Sequence, residues 1–144
     1  MTRQINAAGL AIIKGDEGCF LNTYLCPARI PTNGWGHTGP DVHMGGRISQ
    51  LTADANLGAD LAGTEAGVAH LAPVCTDNQF SALVSFAYNE GLGKLRTSTL
   101  LRLHNAKCPA QAALEFPKWK YADGVVLNGL IKRRAQEAAL YSKP

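Results

Sequence analysis

Three polar side chains and a cluster of glycines fall close together near the start of the chain, with types suited to acid–base work. Glu17 is followed nine residues later by Cys26 and six further on by Thr32, which leads into Asn33-Gly34-Trp35-Gly36-His37-Thr38. A carboxylic acid that stays protonated can deliver a proton to a leaving oxygen. A second group and a hydroxyl can hold or activate a water on the opposite face of the reacting carbon. Cleavage of a glycosidic bond through an oxocarbenium-like transition state requires this division of labour. Glu17 is expected at the C-terminal end of a helix, where the negative end of the helix dipole disfavours the ionised carboxylate, and Asp16 beside it adds a like charge.

The elements that must position these groups follow from spacing. Asn6 is placed to cap a helix running to about Glu17, with Ala7, Leu10 and Ile13 on one face and Gly18 as its stop. From Cys19 to about Thr38 the texture changes to Tyr, Thr, Pro and Gly, with Pro27, Pro31 and the turn pair Asn33-Gly34, which predicts short strands and tight turns. Thr52 is expected to open a second helix carrying Leu57, Leu61, Thr64, Val68 and Leu71 up to Pro73. Thr76 and Gln79 form a capping box for a third, whose end is marked by Gly91 and Gly93. Ser98 or Thr99 starts a short helix with Leu100, Leu101 and Leu103. Pro109 suits the first turn of another that ends before Pro117, and a last helix spans about Asn128 to Tyr141.

The expected fold class is α+β and mainly helical, with one small β-sheet lobe after helix one, a helical lobe, and a groove where they meet. With 144 residues and no linker, repeat or low-complexity stretch, residues 1–144 are expected to form a single domain. The 46% apolar and 17% charged composition is that of a globular protein, and no stretch approaches a membrane span of about 20 apolar residues. The N-terminal apolar run is too short and too weakly preceded by positive charge for a signal peptide, so synthesis in a cytosol is expected. Cys19, Cys26, Cys75 and Cys108 are too few and scattered for a disulfide framework and lack metal spacing, and Cys19, Cys75 and Cys108 are expected as free buried thiols. The net charge of +3, with Lys132, Arg133 and Arg134 clustered near the end, is a solvated basic face suited to an anionic cell wall. It lacks a nucleic-acid module, and no nucleic-acid partner is expected.

The stretch from Glu17 to Thr38 resembles the active-site signature of the phage lysozymes of glycoside hydrolase family 24: Glu, eight residues, Asp or Cys, five residues, Thr, then Gly-Tyr-Gly-His-Thr. Asp77-Asn78-Gln79-Phe80 through Tyr88-Asn89 to Ser98-Thr99-Leu100-Leu101 resembles the same family, as does the end with Gly129-Leu130, Arg133-Arg134 and Glu137. The resemblance implies a lysozyme-like fold and hydrolysis of the β-1,4 bond between N-acetylmuramic acid and N-acetylglucosamine in peptidoglycan strands. It implies Glu17 as general acid, Cys26 and Thr32 as the groups that position or activate water, and Tyr88 and Asn89 as sugar-binding residues. His37 is implied as a structural histidine, and either Arg133 or Arg134 as partner of the acid. No cofactor or metal is expected. The protein is expected to be a monomer that waits in the host cytoplasm and acts on the wall in the periplasm after release, dependent on a membrane-perforating holin without direct contact.

Two departures from the pattern concern the site. Arg29 stands where glycine is common and brings a positive charge, and Trp35 replaces Tyr. Cys26 itself is a thiol with an ordinary pKa of roughly 8.5, a poorer base at neutral pH than the carboxylate of many relatives. A lytic transglycosylase would need one acid and no held water, and a non-catalytic glycan-binding protein would need neither. Thr32 and Cys26 argue against the first, intact Glu17 and Thr32 against the second.

Overall fold

The computed structural model describes residues 3–144. Its elements run α1 (Ala7–Glu17), β1 (Phe20–Leu25), β2 (Pro31–Gly34), α2 (Gln50–Leu71), α3 (Asp77–Glu90), α4 (Leu92–Arg96), α5 (Thr99–Asn105), α6 (Pro109–Ala113), a 3₁₀ turn (Phe116–Lys118), β3 (Tyr121–Ala122), β4 (Val125–Val126) and α7 (Asn128–Tyr141). The chain divides into two compact units, residues 14–63 and residues 1–13 with 64–144, so the boundaries pass through α1 and α2.

In the first unit, β1 and β2 pair antiparallel, with Tyr24 opposite Thr32, Leu25 opposite Pro31 and an irregularity between Phe20 and Tyr24. A further stretch runs alongside β1: Thr23 donates its N–H to the Gly46 carbonyl and Ile48 to that of Leu21, at 3.0 and 2.9 Å. From α2 this unit buries Ala53 together with Leu57 and Leu61 of the apolar stripe expected from the spacing. The helix starts earlier than predicted, because Ser49 is its cap. The Ser49 hydroxyl accepts the Thr52 N–H at 3.1 Å and its carbonyl accepts that of Ala53, which leaves Thr52 inside the first turn.

The second unit is built around α3. Every residue from Phe80 to Ala87 is buried, so this helix is covered on all sides rather than along one stripe. Its capping box is complete: Gln79 N–H donates to the Thr76 hydroxyl, and the Gln79 side chain accepts the Thr76 N–H, each at 3.0 Å. The aromatic side chains of Phe86, Phe116, Trp119 and Tyr141 pack edge-on or tilted around it. Asn6 ties the start of α1 to this core: its side-chain oxygen caps Gly9 N–H at 2.9 Å and its own N–H donates to the Ser81 hydroxyl. Ser98 caps α5 through Leu101 N–H, and Pro109 occupies the first turn of α6.

Two expectations need correction. The sheet after α1 is not the only one, because β3 and β4 form a second, two-residue-per-strand hairpin among the helices of the second unit. Its turn is Asp123-Gly124 with φ of 50° and 78°, the two left-handed residues that a tight right-twisting hairpin requires. Cys19, Cys75 and Cys108 are free, as expected, and so is Cys26, but all four are half-buried rather than core-filling. Among the described residues no helix is long and apolar enough to cross a membrane.

Candidate active site

The first cluster lies entirely within residues 14–63. Helix α1 ends at Glu17, and Gly18 at φ 70° donates its N–H to the Lys14 carbonyl, closing the last turn in the left-handed conformation that terminates helices. Glu17 is therefore held at the helix C-terminus, half-buried, as the spacing required. Gly36 faces it at φ 86°, and a methyl group built there would lie 2.8 Å from Glu17 Oε2. Only glycine leaves room for the carboxylate at this point of the Trp35-Gly36-His37 turn.

Cys26 and Thr32 flank the turn that joins β1 to β2. Cys26 N–H donates to the Ile30 carbonyl at 3.1 Å, and Arg29 N–H to the Cys26 carbonyl at 2.7 Å. The Ile30 N–H favours the Cys26 thiolate most; against a cost of desolvation, the Ala28 N–H, the Thr32 hydroxyl and the cysteine's own N–H add to it, and the thiol is held below its ordinary pKa. The buried Thr32 hydroxyl donates to the Ile30 carbonyl at 2.8 Å. It has one proton to give, so that proton serves the carbonyl while the thiol is neutral and turns to the sulfur when it ionises.

Of the two effects that replacing glycine by Arg29 could have, a changed turn and an added positive charge, the structure shows the first. Arg29 is not among the groups that shift Cys26; its mark is conformational, a φ of 61° at the position where glycine is common. The turn has kept a left-handed residue and lost the residue type that adopts it freely.

Tyr24 is a site residue that sequence reasoning missed. Partial burial raises its phenol above the ordinary value, and the negative charges of Glu17 and Cys26 add to that. Its ring therefore sits within electrostatic reach of both, opposite Thr32 in the strand register. The signal was present: Tyr24 and Cys26 are two residues apart, so an extended chain turns both to one face.

Around this cluster the aromatic and histidine positions are pinned. The Trp35 indole N–H donates to Asp54 at 2.7 Å while the Lys14 ammonium lies 5.1 Å from the ring centre. His37 is clamped by Asp60 on Nδ1 at 2.7 Å and Asp41 on Nε2 at 3.0 Å. Desolvation lowers its pKa, but the hydrogen bonds and charges of the two carboxylates outweigh that and the net shift is upward. Both nitrogens are thus committed to holding α2 and the loop to the strand turn, the structural part expected of it.

Tyr88 and Asn89 lie at the end of α3, in the other unit. Tyr88 is half-buried and Asn89 exposed. Behind Asn89 lies a buried ionic cluster from α7, which corrects the expected solvated basic face: Arg133 and Arg134 are buried, held there by carboxylates that neutralise them and by carbonyls. Arg134 donates to Glu137 at 2.5 Å, to Glu90 at 2.9 Å, to the Trp119 carbonyl at 3.1 Å and to the Asn89 side-chain oxygen. Arg133 donates to Glu137 at 3.2 Å and to the Ser85 carbonyl at 2.9 Å, and the Ser85 hydroxyl donates to Glu137. Burial raises the Glu137 carboxyl above its ordinary value, with the charge of Arg134, the Ser85 hydroxyl and the charge of Arg133 pulling the other way. The cluster holds the Asn89 amide through its oxygen, which accepts from Arg134.

Comparison with known proteins agrees with this geometry. The family model described as phage lysozyme matches residues 14–137. The chain is 43% identical over 145 residues to an endolysin of Bacillus phage PZA, covering 96% of this chain and 55% of that protein. It spans about half the length of the Bacillus phage relatives it matches. Among solved structures, an endolysin from Escherichia coli O157:H7 phage FAHEc1 superposes with a TM-score of 0.92 at 36% identity, covering 99% of this chain and 96% of that one. The muramidase domain of SpmX from Asticaccaulis excentricus gives 0.89 at 35% identity, covering 99% of each. A helix ending in Glu17 before a strand turn that carries Cys26 and Thr32, and a family match that runs through both units, place this chain in the phage lysozyme family.

Proposed function

We propose that this chain is the catalytic domain of an endolysin, a muramidase that hydrolyses the β-1,4 bond between N-acetylmuramic acid and N-acetylglucosamine in peptidoglycan. The observation that carries the reading is the gathering of Glu17, Tyr24, Cys26 and Thr32 on a helix end and one strand pair. Glu17 gives its proton to the glycosidic oxygen as the bond from the sugar C1 breaks. A water held on Thr32 attacks C1 from the other face and passes a proton to the Cys26 thiolate, so the product is a free reducing end. Tyr24, within electrostatic reach of Glu17 and Cys26, lines the approach to them. Tyr88 and Asn89 bind sugar, Asn89 through the amide N–H₂ that Arg134 leaves available.

The protein acts on the wall from the periplasmic side after release from the host cytoplasm, as a monomer, and a holin that opens the membrane supplies the route. The test is lysis of purified peptidoglycan, or of outer-membrane-permeabilised cells, by wild type beside Glu17→Gln. The amide cannot donate the proton, a contribution of about 10²- to 10⁴-fold, while helicity is unchanged. Substantial lysis by a folded Glu17→Gln protein shows that another group is the acid. Anhydro-muramyl products in place of reducing ends show a transglycosylase.

A further inference from the structure

Strand β1 carries an aromatic side chain that the fold does not bury. Phe20, its first residue, is 51% exposed, and its ring lies 4.9 Å from that of Tyr24 at an interplanar angle of 56°. Side chains alternate along a strand, so Phe20, Asn22 and Tyr24 share one face of the small sheet. Asn22 is exposed as well, and its side-chain oxygen accepts an N–H of the Arg47 guanidinium at 3.0 Å. A methyl group built on Gly18, the residue after Glu17, would lie 3.5 Å from the Phe20 ring. The ring therefore bridges the end of the helix that carries the acid and Tyr24, which is within electrostatic reach of Glu17 and Cys26. All of these residues belong to the unit of residues 14–63.

A lone exposed aromatic side chain is ordinary. Phe20 differs in being continuous with the reactive cluster and flanked by an amide and a guanidinium. That combination suits a sugar: the aromatic face packs against the C–H side of a pyranose, while N–H donors meet its hydroxyls and acetamido oxygen. Residues 20–30 hold no carboxylate, so this face offers nothing to a cation. Its apolar part is one ring wide, too small for a protein partner or a bilayer and the size of one pyranose.

We propose that Phe20 is an aromatic platform for one N-acetylhexosamine ring of the glycan, beside the bond that is cut, with Asn22 and Arg47 as donors to its acetamido oxygen and hydroxyls. The proposal rests on the muramidase reading and adds to it a specificity-determining residue that grips glycan without moving a proton. Such a grip is equal in the ground state and the transition state, so its loss falls on KM rather than kcat.

Two measurements test it. Triacetylchitotriose, a bare trimer of N-acetylglucosamine, is titrated into the ¹⁵N-labelled full chain, and the Asn22 side-chain amide and the Gly18 N–H are followed. Both shift in wild type and in Phe20→Tyr, which keeps the flat face. Phe20→Leu keeps an apolar side chain at this half-exposed position but loses the flat face, and needs about tenfold more trimer for the same shifts. In parallel, reducing ends released from purified peptidoglycan are counted. Phe20→Leu raises KM about tenfold with kcat within about twofold of wild type, and Phe20→Tyr restores KM. No shift at millimolar trimer, a Phe20→Leu defect in kcat alone, or a defect that Phe20→Tyr shares overturns the platform. Shifts at both reporters in a wild type that releases no reducing ends leave the platform standing and overturn the muramidase reading.

Discussion

The strand turn around Cys26 and the ionic cluster around Glu137 both gather ionisable side chains, and they hold them in opposite ways. In the turn the Cys26 thiol is half-buried and the Thr32 hydroxyl buried, and both are bonded mainly to backbone: Cys26 faces N–H groups of its own loop, and the one Thr32 proton has two acceptors to choose between. In the cluster Arg133, Arg134 and Glu137 are almost fully buried, and the two guanidiniums are spread over Glu137, Glu90, Asn89 and two carbonyls. A group that must change protonation needs spare bonding capacity, whereas a buried ion tolerates none. The first arrangement is suited to chemistry and the second to holding a neighbouring amide still.

Substitutions can break that comparison. The largest effect on activity belongs to Glu17→Gln, which loses about 10²- to 10⁴-fold in lysis and shifts the thermal midpoint little. Arg134→Ala is its opposite. It leaves the buried Glu137 with Arg133 as its remaining guanidinium and Glu90 with the more distant Lys94, and costs about 3 kcal/mol in a denaturant titration. A stable Arg134→Ala protein means that the cluster is dispensable.

Cys26 sharpens the contrast through pH. Its thiol lies below the ordinary cysteine value, so if the thiolate is the base, activity rises as pH passes that lowered pKa and the acid limb lies below that of a free cysteine. Cys26→Asp moves the limb further down, towards the carboxylate range near about 3.9, and Cys26→Ser loses about a hundredfold. Alkylation silences wild type and spares Cys26→Asp. If Cys26→Ser and alkylated wild type both lyse walls at the normal rate, the thiol only fills space.

Thr32→Ala is expected to lower kcat about tenfold with little change in KM, because a held water matters to the transition state rather than to glycan binding. A defect in KM alone removes the water from its account. The smallest effect is expected at Arg29. Arg29→Gly relieves left-handed strain of about 1–2 kcal/mol but returns about 0.5–1 kcal/mol in unfolded-chain entropy, for a net gain of roughly 0.5 kcal/mol. A loss of activity in Arg29→Gly, with stability raised, shows that the guanidinium has a part in the site after all.

Local chemistry was legible in the sequence wherever one or two residues decide an outcome alone. Asn6, Thr76 and Ser98 cap their helices as side chains three residues from the N–H they satisfy, and Gly18 stops α1 at Glu17. The family signature follows the same logic, because a glycine beside the Glu17 carboxylate and a left-handed turn after Cys26 are constraints on single positions. The Ser49 cap and the Asp123-Gly124 hairpin were also written locally, although Thr52 was the expected helix start and no strand was expected between Pro117 and Asn128. Other features depended on residues far apart in the chain. The Arg134 guanidinium reaches Asn89, 45 positions away, and takes its amide oxygen. His37 is committed to Asp60, 23 positions on, and Arg47 gives an N–H to Asn22, 25 positions before it. Spacing along a chain fixes which groups share a turn or a helix face. Which buried ion meets which partner is set by packing, and only the tertiary structure decides it.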